Sequence, residues 1–167
     1  MRTAYRLAVC AAATIFLASA CAPVRPSGPT AAEMVAAADA VDKAFLDAFN
    51  KGDVDALMAT YWKSPDLVSI SLDGMGFKGW DAAKASSAEM LKGMPGAKVE
   101  FLDAQNVAFG ETVLGSGTWK VTIPAEKGSP QVMQGRYSDV KALRDGKWVY
   151  VMDHASVPLP PPAPINK

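Results

Sequence analysis

The chain has 167 residues, half of them apolar, with 17 basic side chains, 17 acidic side chains and one histidine. That length suits one domain with flanking tails, and the balanced charge argues against a nucleic-acid partner and against a polybasic membrane patch. One histidine and two cysteines predict no metal site, and the lack of a phosphate-binding glycine loop argues against a nucleotide, so we expect no cofactor.

Residues 1–20 have the layout of a secretory signal peptide. Arg2 and Arg6 precede an apolar run at 7–17 that ends in small residues. This run is shorter than the roughly 20 residues that a transmembrane helix needs. We therefore expect an exported protein.

The end of this segment resembles a bacterial lipobox. Ala-Ser-Ala at 18–20 precedes Cys21, although Leu17 stands four residues before the cysteine, where a lipobox more often has leucine three before it. We expect lipid attachment at Cys21, with 21–30 as an extended tether and the periplasmic side of the cell envelope as the location. The alternative is a soluble periplasmic or secreted protein with one unpaired thiol.

Apolar periodicity predicts three helices in the mature chain. Over 31–50, apolar residues recur at three- and four-residue steps, and Gly52 is suited to end this helix. Asp53 can cap a second, short helix. A third is expected from Trp80 to Leu91.

The rest of the domain is β-rich. A strand at 67–72 is followed by a glycine-containing turn, and further β segments separated by turns are expected at 98–109, 112–124, 130–143 and 147–157. Helices followed by a meander predict an α+β domain whose helices cover one face of a strongly curved sheet. The proline-rich tail, 158–167, should be extended.

Several motifs carry a family resemblance. The runs AFLDAFNKGDVDALMATYW, DLVSISLDGMGFKGWDA, GRYSDVKALRDGKW and DHAS resemble the SnoaL-like branch of the nuclear transport factor 2-like superfamily, which includes ketosteroid isomerase. The resemblance covers 31–157 and implies a cone-shaped fold with N-terminal helices packed on a curved mixed or antiparallel sheet. Because this fold hosts isomerases, dehydratases, ligand carriers and oligomerisation domains, it implies no single function.

The candidate catalytic residues are His154, Asp139 and Tyr137. A two-residue turn at Asp145-Gly146 would pair Tyr137 with His154 and place both on one face with Asp139, unless a β-bulge exchanges the faces. An imidazole, a phenol and a carboxylate together could move a proton on an apolar substrate. The alternative is that His154 only fixes the last hairpin through a hydrogen bond.

The resemblance to ketosteroid isomerase does not extend to its catalytic residues. The oxyanion-binding tyrosine position falls on Phe45, and the base position falls on Ser69 or Ile70. Asp139 lies close to the position of that family's protonated acid. Steroid isomerase activity is therefore disfavoured, and whether the protein is an enzyme stays open.

The candidate ligand-binding residues combine aromatic and charged side chains: Tyr61, Trp62, Trp80, Trp119, Arg136 and Asp153. The aromatic residues could line a cavity for an apolar ligand, although such residues are more often plain core. Arg136 could clamp an anionic group or pair with an acidic residue at a dimer surface.

We expect a domain at the cell envelope that binds a small, largely apolar molecule between helices and sheet. A homodimer through the outer sheet face, where Val140, Val149 and Val151 could cluster, is expected as well. One alternative is an isomerase, dehydratase or hydrolase that uses His154 with an aspartate. The other is a structural oligomerisation or partner-binding domain.

Overall fold

The structure is a computed structural model that describes residues 28–71 and 76–158. The expected signal peptide, Cys21 and most of the proline-rich tail lie outside the described residues. Within them, no helix is long and apolar enough to cross a membrane.

Within 28–71 and 76–158, three helices form in the expected places. They are α1 (Ala31–Lys51), α2 (Val54–Met58) and α3 (Trp80–Gly93). Thr30 caps α1 through a reciprocal capping box with Glu33, and Gly52 ends it in the left-handed conformation. Asp53 caps α2 by accepting a hydrogen bond from the Ala56 N–H at 2.9 Å.

Seven strands of the described residues form one mixed sheet. They are β1 (Val68–Ile70), β2 (Gly76–Lys78), β3 (Lys98–Phe101), β4 (Gln105–Phe109), β5 (Thr112–Ile123), β6 (Gln131–Arg144) and β7 (Lys147–Ser156). The order is β2-β1-β7-β6-β5-β3. β3 pairs with the C-terminal part of β5, and β4 pairs with its N-terminal part. Only β1 and β7 run parallel among these pairs. The expected α+β architecture, with helices on a curled sheet, is confirmed.

The core lies between the helices and the concave face of the sheet. Phe49 of α1 and Leu57 of α2 belong to one buried cluster with Trp119 and Val121 of β5. Met58 belongs to a second buried cluster, which includes Leu67 and Tyr150. Burial of these apolar side chains, worth about 1.5–3 kcal/mol each, holds the helices on the sheet.

Candidate functional site

A cavity of about 150 Å³ remains between the helices and the concave sheet face. Most of its wall is apolar, and the side chains that define it come from α1, α3, β3, β5 and β6: Phe45, Phe49, Met90, Phe101, Trp119 and Met133. The helices supply one wall and the sheet the other, so the site depends on the packing of the whole domain.

Aromatic rings surround one part of this cavity. The ring centroid of Phe45 lies 6.3 Å from that of Tyr61, 6.0 Å from Phe101 and 5.8 Å from Tyr150. Phe101 in turn stacks on Tyr137 at 4.4 Å. We call these five residues the aromatic box. They come from α1, from the segment after α2 and from three strands.

Two carboxylates reach the cavity beside the aromatic box. Asp139 of β6 and Asp153 of β7 are directly opposite each other in the register, and both contribute to the cavity wall. The hydroxyl of Tyr61 donates to Oδ2 of Asp153 at 2.5 Å, and Ser69 donates a second hydrogen bond to that carboxylate. Asp139 is only 4% exposed.

Lys141 connects Asp139 to a second buried carboxylate. Its Nζ lies 2.8 Å from Oδ1 of Asp42 and 2.8 Å from Oδ1 of Asp139, and it also donates to Asn106 at 3.1 Å. Asp42 further accepts hydrogen bonds from the Tyr150 hydroxyl and from Asn106, the latter at 2.7 Å. Asp42 thus accepts hydrogen bonds from two neutral donors in addition to its ion pair with Lys141, and it shares that lysine with Asp139.

Burial raises the pKa of both cavity carboxylates. It raises the pKa of Asp139 to about 6, although Lys141 acts in the opposite direction. Burial also raises the pKa of Asp153, and the hydrogen bonds from Tyr61 and Ser69 offset part of that rise. The pKa of Tyr61 is raised as well, by burial and by the charge of Asp153, so this phenol remains a donor.

Two glycines of β5 make room for these side chains. A Cβ on Gly115 would overlap the carboxylate of Asp139, and one on Gly117 would lie 2.7 Å from Cε1 of Tyr137. Glycine inside a strand often marks such a close approach. The Gly-Ser-Gly sequence of β5 therefore shapes the polar part of the cavity.

A β-bulge changes the expected register of the last hairpin. Arg144 pairs with Lys147 as predicted, but the register shifts between Val140 and Lys141. His154 consequently pairs with Ser138, and Asp153 with Asp139. The expectation that His154 shares a face with Tyr137 and Asp139 was wrong, because one extra residue in a strand exchanges its two faces.

The bulge gives Asp153 the inward position that was expected for His154. Because neighbouring side chains on a strand point to opposite faces, the imidazole extends away from the face that carries Asp153. His154 still borders the cavity and lowers the pKa of Asp153 through its charge. Its catalytic role stays a prediction, as do those of Asp139 and Tyr137.

The other predicted site residues divide into two groups. Tyr61, Trp119 and Asp153 belong to the cavity wall. Trp62, Trp80 and Arg136 lie outside it: Trp62 lies under Arg144, the Trp80 indole donates to the Met58 carbonyl at 3.1 Å, and Arg136 pairs with the exposed Asp103 at 3.0 Å. The expectation that Arg136 could clamp a ligand in the pocket therefore has no support in the geometry.

Sequence reasoning missed the buried charges of Asp42 and Lys141. A signal existed for Asp42, because it follows Ala38 by four residues and precedes Phe45 by three, on the face of α1 that turns inward. Lys141 carried no such signal, since a lysine in a strand is normally solvated. Within the part of the chain that the structure describes, no acidic, histidine or cysteine cluster could hold a metal ion.

A helix-covered, curled sheet around a cavity defines a class of α+β domains with a site between the two layers. The SnoaL-like domain family matches residues 43–151. The chain belongs to this family, and the resemblance predicted from its motifs is confirmed. No curated protein matches the sequence.

Solved structures show the same fold at low sequence identity. A candidate dehydratase of the nuclear transport factor 2-like family from Streptomyces avermitilis has a TM-score of 0.71 at 17% identity, covering 78% of this chain and 100% of that one. A nuclear transport factor 2-like superfamily protein from Salmonella enterica has a TM-score of 0.65 at 18% identity, covering 77% and 93%. A candidate association domain of a calcium/calmodulin-dependent protein kinase II from Xanthomonas campestris has a TM-score of 0.62 at 19% identity, covering 75% and 87%.

Proposed function

We propose that this protein binds a small, largely apolar molecule in the cavity between its helices and its sheet. The observation that supports this proposal is the cavity itself, which is walled by aromatic and methionine side chains and carries a few polar groups at one part. That combination is the usual composition of a small-molecule site, where apolar walls give affinity and few polar groups fix orientation.

The volume limits the ligand. A cavity of about 150 Å³ matches the engineered apolar cavity, also about 150 Å³, that binds benzene. The ligand, or the part of it that is enclosed, should therefore be close to a single substituted ring or a short branched chain in size.

A filled cavity tests the proposal directly. In Met133→Trp, the larger side chain would enter the cavity, so toluene binding should fall at least about tenfold, as followed by ligand-observed NMR. Val132→Trp is the matched control, because Val132 is the preceding residue, is 56% exposed and points to the other sheet face. Equal toluene binding by both variants, or failure of the wild-type protein to bind any of toluene, benzyl alcohol and benzylamine, would refute the proposal.

The location of the protein is part of the proposal. A signal peptide at 1–20 and acylation of Cys21 would hold the domain at the cell envelope on a short tether. Membrane fractionation of the native protein and of Cys21→Ser, with intact mass spectrometry, tests this. If the wild-type protein is released from membranes as readily as Cys21→Ser and carries no acyl mass, the location proposal fails and the protein is a soluble exported one.

Acid-base catalysis is the second candidate function, and the paired carboxylates favour it. Asp139 has a pKa of about 6, and Asp153 receives a hydrogen bond from Tyr61. A carboxyl group that titrates near neutrality can exchange protons with a substrate. The enzyme alternative therefore rests on these aspartates more than on His154. Turnover of a bound ligand that is lost in Asp153→Asn, while the ligand still binds, would support it.

A further inference from the structure

We propose that the ligand of this cavity is a small organic cation, in which an ammonium group is carried on a compact apolar body. This inference rests on the proposed binding function and specifies the charge of the ligand. The ammonium group would lie between Asp139 and Asp153, with its apolar body against the methionine and phenylalanine walls.

The first argument is an excess of negative charge at one part of the cavity. The charges of Asp42 and Asp153 both act on Asp139, so three carboxylates lie near one another, and Lys141 forms ion pairs with only Asp42 and Asp139. Among the residues that the structure describes, Lys141 is the only lysine or arginine that forms an ion pair with any of the three. A bound cation would supply positive charge that this cluster lacks.

The second argument is that Lys141 forms its ion pairs with Asp42 and Asp139 and not with Asp153. Lys141 lies between Asp42 and Asp139 with an exposed side-chain fraction of 0%, so its position is fixed by packing. Asp153 instead accepts hydrogen bonds from the hydroxyls of Tyr61 and Ser69, which carry no charge. Neutral donors orient a carboxylate without cancelling its charge.

The third argument is the aromatic box. The faces of tyrosine and phenylalanine rings attract cations, and rings grouped around a cavity are a known way to bind ammonium ligands. Tyr150 already faces a cation, since Nζ of Lys141 lies 4.9 Å from its ring centroid. The rings of Phe45, Phe101 and Tyr137 belong to the same cavity wall as the two carboxylates.

Other ligand charges fit this arrangement less well. An anion would be repelled by Asp139 and Asp153. A neutral apolar molecule would bring neither charge nor a hydrogen-bond donor to the two carboxylates, which is unfavourable for buried polar groups. A cation can form charge-assisted hydrogen bonds with them, which are the stronger kind.

The proposal implies that affinity depends on pH. The charged and titratable groups around the two carboxylates come from α1, from the segment after α2 and from β6 and β7: Asp42, Tyr61, Tyr137, Lys141, Tyr150 and His154. As the pH falls from 7.5 to 5, Asp139, whose pKa burial raises to about 6, gains a proton and loses the negative charge that attracts a cation. Affinity for an amine should therefore weaken severalfold over this range.

Three ligands of similar shape, one of which is a cation, test whether the charge of the ligand determines binding. Benzylamine, benzyl alcohol and toluene have nearly the same shape, and each is titrated calorimetrically into the full-length protein at pH 7.5 and pH 5. The same titrations are run on Asp153→Asn and Asp139→Asn, with Asp47→Asn as the control, because Asp47 is an exposed carboxylate of α1 that pairs with Lys43. Thermal unfolding of each variant checks that it is folded. If one of the two cavity variants does not fold, the other provides the test.

We expect benzylamine to bind the wild-type protein at least about tenfold more tightly than benzyl alcohol at pH 7.5, which is about 1.4 kcal/mol. This preference should shrink in either cavity variant and persist in Asp47→Asn. A preference that persists in both cavity variants would overturn the proposal. Toluene or benzyl alcohol binding as tightly as benzylamine would also overturn it while leaving the proposed binding function intact. If none of the three binds, the proposed function fails too.

Discussion

At Lys141, an ammonium group without solvent exposure lies 2.8 Å from Asp42 and 2.8 Å from Asp139. Lys141→Met keeps most of the volume but leaves two buried carboxylates without their cation. Removing one partner of a buried ion pair typically costs 3–5 kcal/mol, so we expect a loss of about that size in the free energy of unfolding at pH 7.5. Chemical denaturation measures it.

A second substitution separates lost charge from lost packing at this position. In Lys141→Met combined with Asp42→Asn, one of the two uncompensated charges is gone, so part of the stability should return. A double variant no more stable than the single one would indicate that Lys141 acts mainly by packing. These two variants would then say little about charge in the cavity.

Asp139 makes stability depend on pH. Its pKa rises from 3.8 to about 6 in the folded state, so the folded protein binds more protons than the unfolded chain between these values. Its contribution is therefore fully present below about pH 4 and is lost as the pH rises through about 6. At 1.36 kcal/mol per pKa unit, this loss is at most about 3 kcal/mol.

Asp139→Asn should remove this pH dependence. Relative to the wild-type protein, the variant should gain stability between pH 4.5 and pH 8, as measured by denaturation across that range. Asp47→Asn should show no such gain, because the Lys43 hydrogen bond lowers the pKa of Asp47. Parallel stability curves for wild type and Asp139→Asn would show that Asp139 does not titrate in this range.

At the scale of the elements, sequence patterns located helices and most strands well. Apolar periodicity and capping residues placed α1 and α3 within two residues of their observed ends, and the glycine-containing turns separated β5, β6 and β7. The short strand β2 was missed, since its sequence was interpreted as part of a turn. Periodicity succeeds where an element is long enough to repeat its pattern.

The candidate site was harder to predict because it depends on register. The aspartate and histidine at 153 and 154 are adjacent, so a single extra residue decides which of them faces the cavity. No glycine or proline marks the bulge between Val140 and Lys141. The aromatic wall was partly predicted, through Tyr61 and Trp119, whereas the buried Asp42 and Lys141 pair depends on contacts between distant segments.

Gly115 tests whether β5 and β6 shape the site together. In Gly115→Ala, the added Cβ would displace the carboxylate of Asp139, which is also held by Lys141, so we expect a loss of about 1–3 kcal/mol in unfolding free energy. Gly93→Ala is the control, because nothing lies within 4 Å of a Cβ at Gly93. Equal stability of the two variants would mean that Asp139 can move freely.

At the scale of the whole molecule, the convex sheet face carries a continuous apolar row. In the register, Val107 pairs with Leu114, Leu114 with Val140, Val140 with Met152, and Met152 with Val68, so five strands each contribute one side chain. Val107 is 59% exposed and Leu114 is 44% exposed. Val149, which was expected in such a patch, is instead buried within the chain.

An apolar row of this kind suits self-association, and we expect a homodimer that pairs the row with itself about a two-fold axis. Leu114→Asp should place a charge within the row and shift the protein to monomers, whereas Leu102→Asp, at an exposed position outside the row, should not. Light scattering after size-exclusion chromatography measures this. A single-chain mass for the wild-type protein at high micromolar concentration would contradict the expectation.

The same substitution separates assembly from ligand binding. The cavity opens on the concave side, among helices and aromatic side chains, whereas the row lies on the opposite face of the same strands. Monomeric Leu114→Asp should therefore bind the cavity ligand as tightly as the dimer does. If binding were lost together with the dimer, the cavity would depend on assembly, and the oligomerisation alternative would become the better account of the domain.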